Sequence, residues 1–178
     1  MIFAHVAVTA VDDALTRRAP YREAHLGRLA ELRARGFLVG AGPSPDARSA
    51  DLFVRVPDPD AIRRLIEEDP YYSGGVWTRY AAVSFSQFLG PWRLPPVVTD
   101  GSRPATIVEG RTPDPDMAAL ALVELRGQGR MAFGGLFQDG GTVAVMTSAE
   151  PEQPIRWFAE TGFWEPQSLR ARPFLYVL

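Results

Sequence analysis

The sequence contains no cysteine and no lysine, and histidine occurs only at positions 5 and 25. Without cysteine the chain has no disulfides, no thiolate nucleophile and no cysteine-ligated zinc or iron–sulfur site. Without lysine it has no Schiff-base lysine, no covalently held pyridoxal phosphate and no phosphate-binding P-loop. Any chemistry must therefore come from the two histidines, from carboxylates, hydroxyls and arginines, or from a borrowed cofactor.

Long apolar runs and clusters of like charge are also missing. No apolar stretch approaches the roughly 20 residues of a membrane span, and the segment MIFAHVAVTAVDD lacks the basic start of a signal peptide. The net charge is −2 and the 19 basic residues, all arginines, are scattered, whereas a nucleic-acid-binding protein usually presents a basic face. These features predict a cytoplasmic globular protein that has neither membrane nor nucleic acid as a partner.

The sequence repeats itself at an interval of 93 residues. The stretches LAELRARGFLVGAG (29–42) and LVELRGQGRMAFGG (122–135) agree at six of fourteen positions. The same interval aligns further identical residues later in the chain, namely Asp46 with Asp139, Glu67 with Glu160, and Arg79 with Arg172. A constant interval indicates a duplicated unit. The alternative is chance agreement in a chain of biased composition.

Each half has the pattern β-α-β-β-α-β. In the first half the alternating strand IFAHVAV precedes a helix from about Pro20 to Gly36, and a second helix begins at Asp58 and Pro59. The segment LGPWRLPPVVTDGSRP is rich in proline and glycine, which is typical of a linker. We therefore expect a first unit at 1–90, a linker at 91–103 and a second unit at 104–178.

This pattern predicts an α+β fold made of two ferredoxin-like units. In such a unit one antiparallel sheet carries both helices on one face, which leaves its other face bare and apolar. Packing the two sheets face to face would cover both bare faces. We expect an intramolecular pseudo-dimeric α+β barrel, and the sequence leaves open whether two such chains associate further as a homodimer.

His25 lies on the face of the first helix that we expect to be buried. Counting back from Leu32 and Leu29 in steps of three and four residues reaches His25. A buried imidazole needs a hydrogen-bonding partner. The identity of that partner decides between a packing role and a chemical one.

The first half resembles the YCII family of small dimeric α+β-barrel proteins. The resemblance rests on YREAHLGRLAELRARGFLVGAGP and EEDPYYSGGVW, which match the family's helical histidine, its strand leading into Ala-Gly-Pro, and its late Asp-Pro-Tyr followed by Gly-Val. It implies an active centre formed by His25 and Asp69. The family includes a dehydrochlorinase acting on chlorinated hydroxyhydroquinone, and muconolactone isomerase shares the general fold.

The second half departs from the family pattern. At the interval of 93 residues the family positions carry other residue types: Ala118 for His25, Gly162 for Asp69 and Leu136 for Pro43. If the pair is catalytic, the second copy is therefore expected to be a structural unit that completes the barrel and leaves one site. The sequence leaves open whether the cleft lies within the first unit or between the two.

Five further residues are candidates for binding a substrate. Gly42 and Pro43 end a predicted strand, where glycine permits close approach of the backbone to a ligand; an ordinary turn is the alternative. Tyr71, Tyr72 and Trp77 could wall a flat aromatic molecule, and either tyrosine could donate a hydrogen bond to a developing oxyanion. Core packing is the alternative for these three aromatic residues.

His5, Arg28 and Arg79 are the remaining candidates. Alternation along the first strand places the aliphatic residues on one face and His5 on the other. We expect His5 to face the barrel interior and contact a ligand, the alternative being a partly exposed polar strand residue. Arg28 or Arg79 could hold an anionic group, with a plain surface location as the alternative.

No metal or other cofactor is predicted. His5, His25 and one carboxylate could in principle form a facial triad, but the spacings H-x-H, H-x-x-E and H-E-x-x-H are absent. The runs PDPDA and PDPDM recur at helix starts, and they are typical of N-caps rather than calcium ligands.

The residues and the resemblance together suggest a cofactor-independent enzyme of the lyase or isomerase type. His25 would take a proton from carbon or oxygen, oriented by Asp69, in an elimination, isomerisation, cyclisation or dehydration of a small cyclic or phenolic molecule. The resemblance alone implies a role in aromatic or specialised metabolism. The alternatives are a barrel that binds a small ligand without turnover, a cofactor-free or haem-linked oxygenase of related fold, and a purely structural role.

Overall fold

The computed structural model describes residues 1–178, which form two compact units. Unit 1 consists of Met1–Ser84, Leu94–Ser102 and Tyr176–Leu178, and unit 2 consists of Phe85–Arg93 and Arg103–Leu175. The segment interpreted from the sequence as a linker thus contributes Leu94–Ser102 to unit 1. None of the helices combines the length and the apolar character needed to cross a membrane.

Unit 1 contains an antiparallel sheet in the strand order β2-β3-β1-β4. Its strands are β1 (Ile2–Ala10), β2 (Leu38–Pro43), β3 (Ser49–Val56) and the first part of β4 (Trp77–Leu89). Its helices are α1 (Ala14–Arg17), α2 (Arg22–Ala34), α3 (Pro59–Glu67) and α4 (Pro70–Ser73), with a 3₁₀ turn at Ala19–Tyr21. The predicted β-α-β-β-α-β order is confirmed, with α1, α4 and the 3₁₀ turn as additions.

Alternation along β1 decides which side chains meet the helices. Ala4, Val6 and Val8 are buried in the same core as Leu29 of α2 and Ile66 of α3. Successive strand residues point to opposite faces, so His5 lies on the face of the sheet away from these helices. The predicted assignment of the aliphatic face is therefore confirmed.

The boundaries of α2 differ slightly from the prediction. Pro20 belongs to the 3₁₀ turn, and the α-helix begins at Arg22. The helix ends at Ala34, and Gly36 follows with φ of 77°. This left-handed conformation favours glycine because a Cβ atom would strain it.

Asp69 lies outside the second long helix, the one that the sequence predicts to begin at Asp58 and Pro59. Helix α3 begins with the cap predicted, since the Asp58 carboxylate accepts from the amide of Ala61 at 2.8 Å, but it ends at Glu67. Asp69 has extended backbone (φ −71°, ψ 137°) and begins α4 instead. The reason is Pro70, whose ring disfavours helical backbone in the residue before it.

Unit 2 contains an antiparallel sheet in which the end of β4 is followed by β6-β7-β5-β8. Its strands are β5 (Pro104–Arg111), β6 (Met131–Phe137), β7 (Gly141–Met146) and β8 (Arg170–Leu175), and its helices are α5 (Pro115–Gly127) and α6 (Glu152–Thr161), with a 3₁₀ turn at Pro166–Ser168. The order β6-β7-β5-β8 repeats the order β2-β3-β1-β4 of unit 1.

Close backbone approach fixes the pairing of β4 with β6 in unit 2. A Cβ atom at Gly135 would collide with the carbonyl oxygen of Gln87 and lie 2.8 Å from the ring of Phe85. Only glycine therefore permits these strands to pair here. On the helical side, Leu122 of α5 and Phe158 of α6 are buried in the core of the unit.

Candidate functional site

His25 forms a buried hydrogen bond with Asp69, as the resemblance implied. The residue lies in the second turn of α2, and only 6% of its surface is exposed. Its Nδ1 atom is 2.8 Å from Oδ1 of Asp69, which is fully buried. Helix α2 supplies the histidine and the start of α4 supplies the aspartate, so packing of these two elements sets the distance.

One oxygen of Asp69 serves two partners. As the N-cap of α4, Oδ1 accepts from the backbone amide of Tyr71 at 2.8 Å, and the same atom meets His25. The other oxygen, Oδ2, is buried and has no hydrogen-bond partner. A helix cap restricts the rotamer of an aspartate, so local chain geometry holds the carboxylate in place for the histidine.

The contact with Asp69 determines the tautomer of His25. An ionised carboxylate can only accept, so Nδ1 carries the proton in the neutral imidazole. The lone pair is then on Nε2, on the other side of the ring, and Nε2 makes no hydrogen bond in the structure. A histidine with one nitrogen oriented by a carboxylate and the other free is equipped to accept a proton from a bound molecule.

Two aromatic side chains hold the imidazole in position. The ring of Tyr71 stacks on that of His25 with centroids 3.7 Å apart and an angle of 11°. Trp77 meets the same imidazole edge-on, at 5.1 Å and 85°. Tyr71 and Trp77, two of the predicted aromatic candidates, are therefore brought to His25.

Tyr71 is a proton donor in this environment. Burial raises the pKa of its hydroxyl above the ordinary value near 10, and the positive charges of Arg18 and Arg22 oppose this rise. Asp69 adds a smaller upward effect on the same pKa. The phenol is therefore protonated at neutral pH and can donate a hydrogen bond.

Tyr72 lies elsewhere. Its ring meets that of Tyr80 edge-on at 6.0 Å, and the hydroxyl of Tyr80 in turn bonds Glu67 at 3.0 Å. Neighbouring residues of a helix differ by about 100° in direction. Tyr71 and Tyr72 consequently point to different surroundings, a distinction that the sequence interpretation did not make.

A second buried His–Asp pair occurs on the sheet. His5 of β1 lies 2.7 Å, through Nε2, from Oδ1 of Asp51 on β3, and His5 stacks on Phe53 with centroids 5.0 Å apart. Asp51 was missed in the sequence interpretation. The one signal for it was a carboxylate at the start of the otherwise apolar stretch DLFV, where a buried strand normally has no charge.

No hydrogen bond or ring contact joins the other candidates to His25. Gly42 of β2 is directly opposite Asp51, the partner of His5, whereas Pro43 is opposite Ala50, which packs against the core under the helices. Arg28 donates to the carbonyl groups of Arg64 and Leu65 and to Glu68, which ties α2 to the end of α3. Arg79 is exposed on β4.

The first part of the chain matches a known family of domains. Residues 1–86 match the YCII-related domain. All four residues of the two His–Asp pairs lie within this YCII-related domain, whereas α5, α6 and strands β5 to β8 lie beyond the match. No curated protein sequence matches the chain.

Solved structures show the fold of the whole chain. A protein from Lactobacillus acidophilus, assigned provisionally as a monooxygenase, is 10% identical and superposes with a TM-score of 0.62, covering 98% of this chain and 93% of its own. A heme-binding protein from Thermus thermophilus gives 12% identity, coverage of 99% and 92%, and a TM-score of 0.54. The chain, which begins with the YCII-related domain, thus has the mixed α+β fold of the dimeric α+β barrel proteins.

A third solved structure covers only the first half of the chain. It is 5-chloro-2-hydroxyhydroquinone dehydrochlorinase from Burkholderia phenoliruptrix in complex with 2,5-dihydroxybenzoquinone. The match is 21% identical, covers 46% of this chain and 90% of that protein, and has a TM-score of 0.40. The first two comparisons establish the fold and not an activity.

Proposed function

We propose that this protein is a cofactor-independent enzyme in which His25 acts as general base and acid. The proposal rests on the different surroundings of the two imidazole nitrogens. Nδ1 is hydrogen-bonded to Asp69, and Nε2 makes no hydrogen bond. Burial of both side chains favours a fixed geometry, and fixed geometry is what distinguishes a catalytic base from a surface histidine.

The proposed chemistry begins with transfer of a proton from a C–H or O–H bond of the substrate to Nε2 of His25. The electron pair of that bond stays on the substrate and forms a new double bond. In an elimination or dehydration the leaving group departs with its own electron pair and His25 returns the proton to it. In an isomerisation or cyclisation the proton returns to another atom of the same molecule, so no oxidant or reductant is required.

Asp69 and Tyr71 assist this transfer in different ways. The carboxylate of Asp69 stabilises the imidazolium that forms when Nε2 takes up the proton. The hydroxyl of Tyr71, protonated at neutral pH, is available to donate to an oxyanion that develops on the substrate. We propose a small cyclic or phenolic substrate, since the imidazole is flanked by the flat rings of Tyr71 and Trp77.

The group around His5 is left outside the proposed centre. His25 is carried by α2, whereas His5 lies on the opposite face of the sheet from the core that α2 and α3 cover. We therefore assign the proposed centre to His25 and treat His5 as a separate group. Gly42 pairs with Asp51, the partner of His5, and the role of Gly42 and Pro43 in binding the substrate stays a prediction.

We further propose that unit 2 is a duplicated and non-catalytic copy of unit 1. Support comes from element positions, because α2 (Arg22–Ala34) and α5 (Pro115–Gly127) begin and end 93 residues apart, the interval seen in the sequence. At the position of His25, helix α5 has Ala118, which is fully buried. An alanine can pack but cannot exchange a proton.

Turnover by matched variants tests the proposal. Phenols, lactones and haloaromatic compounds are screened with the wild-type protein, and an active substrate is then given to His25→Gln, Asp69→Asn and His5→Gln. We expect His25→Gln to lower kcat by about 10²- to 10⁴-fold, the usual contribution of a general base, and His5→Gln to have a much smaller effect.

Other outcomes would identify the alternatives. If His25→Gln turned the substrate over at the wild-type rate, His25 would not be the base. If His25→Ala with Asp69→Ala bound a ligand unchanged and no substrate were ever converted, the protein would be a binding barrel. A Soret band after addition of hemin that disappears in His25→Gln would point to haem binding instead of acid–base chemistry.

A further inference from the structure

Two arginines near the start of α2, Arg18 and Arg22, have no carboxylate partner. Arg33, Arg55 and Arg79 have none either, but Arg33 donates to the carbonyl of Pro95, Arg55 lies over the ring of Phe3 and Arg79 is exposed on β4. Six arginines in this unit pair with a carboxylate: Arg17, Arg28, Arg35, Arg48, Arg63 and Arg64. Arg18 is half-buried; its backbone bonds Ala14 and Tyr21, but its guanidinium makes neither a hydrogen bond nor an ion pair. Arg22 donates only to the carbonyl oxygen of Thr99, at 3.2 Å. Both guanidinium groups therefore lack a negatively charged partner.

The chain holds these arginines beside His25. Arg22 is the first residue of α2 and lies three positions before His25, which places both on adjoining parts of one helical face. The 3₁₀ turn lies between Arg18 and Arg22. The ring of its Tyr21 packs so closely on Gly74 that a Cβ atom at Gly74 would be 2.6 Å from a carbon of that ring. Gly74 ends α4, the helix that begins at Asp69, so this contact fixes the arginine segment against the His25 centre.

The electrostatics of Tyr71 agree with this placement. The charges of Arg18 and Arg22 both act to lower the pKa of its hydroxyl, against the effect of burial. The ring of Tyr71 stacks on His25 at 3.7 Å. The two arginines thus influence the same small region that contains the free Nε2 atom.

The region also contains polar side-chain atoms without hydrogen-bond partners. Nε2 of His25 and Oδ2 of Asp69 make no hydrogen bond, although both residues are more than nine-tenths buried. Two guanidinium groups without a carboxylate partner, beside an imidazole nitrogen that makes no hydrogen bond, favour a ligand that carries a negative charge and a transferable proton.

We propose that Arg18 and Arg22 bind a negatively charged oxygen, a carboxylate or phenolate, of the molecule whose proton His25 accepts. This inference rests on the proposed function for its reacting proton, and it specifies the substrate class as anionic. Arg18 and Arg22 replace Arg28 and Arg79 in the role that the sequence interpretation had given to the latter two. The guanidinium groups hold the charged oxygen, and the rest of the molecule lies against the imidazole.

Matched ligand pairs test the proposal. Benzoate and benzamide have similar shape but differ in charge, as do 4-nitrophenolate and 4-nitroanisole. Each compound is titrated into ¹⁵N-labelled protein while the His25 ring and the Trp77 indole are observed by NMR. We expect one or both anions to perturb these signals and the neutral analogues to bind at least about tenfold more weakly, since charged hydrogen bonds contribute about 1.5–3 kcal/mol. Which anion binds distinguishes carboxylate from phenolate.

Arginine variants complete the test. Arg18→Gln and Arg22→Gln are each expected to weaken anion binding about tenfold or more, whereas Arg35→Gln, an exposed arginine at the other end of α2, is expected to leave it unchanged. Unaltered His25 and Trp77 signals in the absence of ligand show that each variant is folded. Equal binding of anion and neutral analogue, no perturbation by either anion, or equal losses in all three variants would overturn the proposal.

The two proposals fail in different ways. If anion binding depends on Arg18 and Arg22 but His25→Gln leaves turnover unchanged, the acid–base function fails and the anion site stands. If His25→Gln abolishes turnover of a neutral substrate and the arginine variants leave its KM and kcat unchanged, the anion site fails and the acid–base function stands.

Discussion

At the scale of single residues, the two histidines of this chain use opposite ring nitrogens for the same kind of partner. His25 meets Asp69 through Nδ1, and His5 meets Asp51 through Nε2. Because a carboxylate accepts and does not donate, the proton of a neutral imidazole must be on the nitrogen that faces it. The lone pair is therefore on Nε2 in His25 and on Nδ1 in His5.

This difference gives a direct prediction. In long-range ¹H–¹⁵N spectra at a pH where both rings are neutral, we expect His25 to show the Nδ1–H tautomer and His5 the Nε2–H tautomer. Asp69→Asn should change the pattern of His25 alone, because an asparagine can donate its amide protons to the ring. Asp51→Asn is the matched control and should change His5 alone.

The same spectra can contradict the site. An Nε2–H tautomer for His25 in the wild-type protein would mean that Asp69 does not set its protonation. A response of His25 to Asp51→Asn as large as its response to Asp69→Asn would mean that the two pairs are not independent. Either result would remove the observation on which the proposed base depends.

Tyr71 gives a prediction about alkaline stability. Its pKa in the folded state lies above the unfolded value near 10, chiefly because of burial. The folded state therefore holds the phenolic proton more tightly, so this contribution to stability is complete below about pH 10 and is lost as the pH rises through the folded pKa. The free energy of unfolding should fall more steeply above pH 10 in the wild-type protein than in Tyr71→Phe.

Urea unfolding at pH 8, 10 and 11 measures this slope. Tyr80 also has a raised pKa, first from burial and then from its hydrogen bond with Glu67, so Tyr80→Phe should remove a separate part of the slope. Parallel pH profiles for the wild-type protein and Tyr71→Phe would show that the Tyr71 hydroxyl is not buried as described.

At the scale of elements, three helices begin with the dipeptide Asp-Pro, but only one of the three aspartates also bonds a histidine. Asp58, Asp69 and Asp114 each precede a proline and each cap a helix through a side-chain oxygen. The predicted N-caps at Asp58 and Asp114 are thus confirmed. Only Asp69 also bonds a histidine, because only α4 begins beside the face of α2 that carries His25.

Cap removal should separate these two roles. Asp58→Ala and Asp114→Ala are each expected to lower the free energy of unfolding by about 1 kcal/mol, the usual loss for an N-cap, and to leave the His25 spectrum unchanged. Asp69→Ala should lower it further, by about 1–3 kcal/mol more, because the buried Nδ1–H of His25 loses its partner. Denaturant unfolding of the three variants measures the differences. A loss for Asp69→Ala no larger than for Asp58→Ala would contradict a buried pair.

At the scale of the whole molecule, unit 1 is assembled from distant parts of the chain. Tyr176–Leu178 belong to it together with Met1–Ser84. The amide of Ala41 in β2 donates to the carbonyl of Leu178 at 2.9 Å, and the amide of Leu178 donates back to Ala41 at 3.1 Å. These bonds cover the edge of β2, which would otherwise present unpaired backbone groups.

Leu178 should therefore stabilise unit 1, although it lies more than 90 residues after the end of the YCII-related domain. Its side chain is almost completely buried in the core of unit 1. Leu178→Ala is expected to lower the free energy of unfolding by about 2–4 kcal/mol and to speed hydrogen exchange at the Ala41 amide. Leu120→Ala on α5, where the leucine is 62% exposed, is the control and should have little effect. Unchanged exchange at Ala41 would argue against the pairing.

Features that depend on neighbours in the chain could be predicted from the sequence. Alternation places Ala4, Val6 and Val8 under the helices because a strand turns its side chains to opposite faces at every step. The Asp-Pro starts at 58–59 and 114–115 predict helices because a carboxylate can reach the free amides of the first turn. The burial of His25 follows from the spacing of Leu29 and Leu32.

Features that depend on pairing across the sheet or between helices were decided only by the tertiary structure. Asp51 lies 46 residues from His5, and only the register of β1 with β3 brings them together. Nothing local separates Tyr71 from Tyr72, or Arg18 from Arg28, until α4 and the end of α3 pack against α2. Local forces therefore determined the helices and strands, and the resemblance pointed to the pair of His25 and Asp69. Long-range packing decided which polar side chains share a site, because packing alone sets which buried groups can reach a partner.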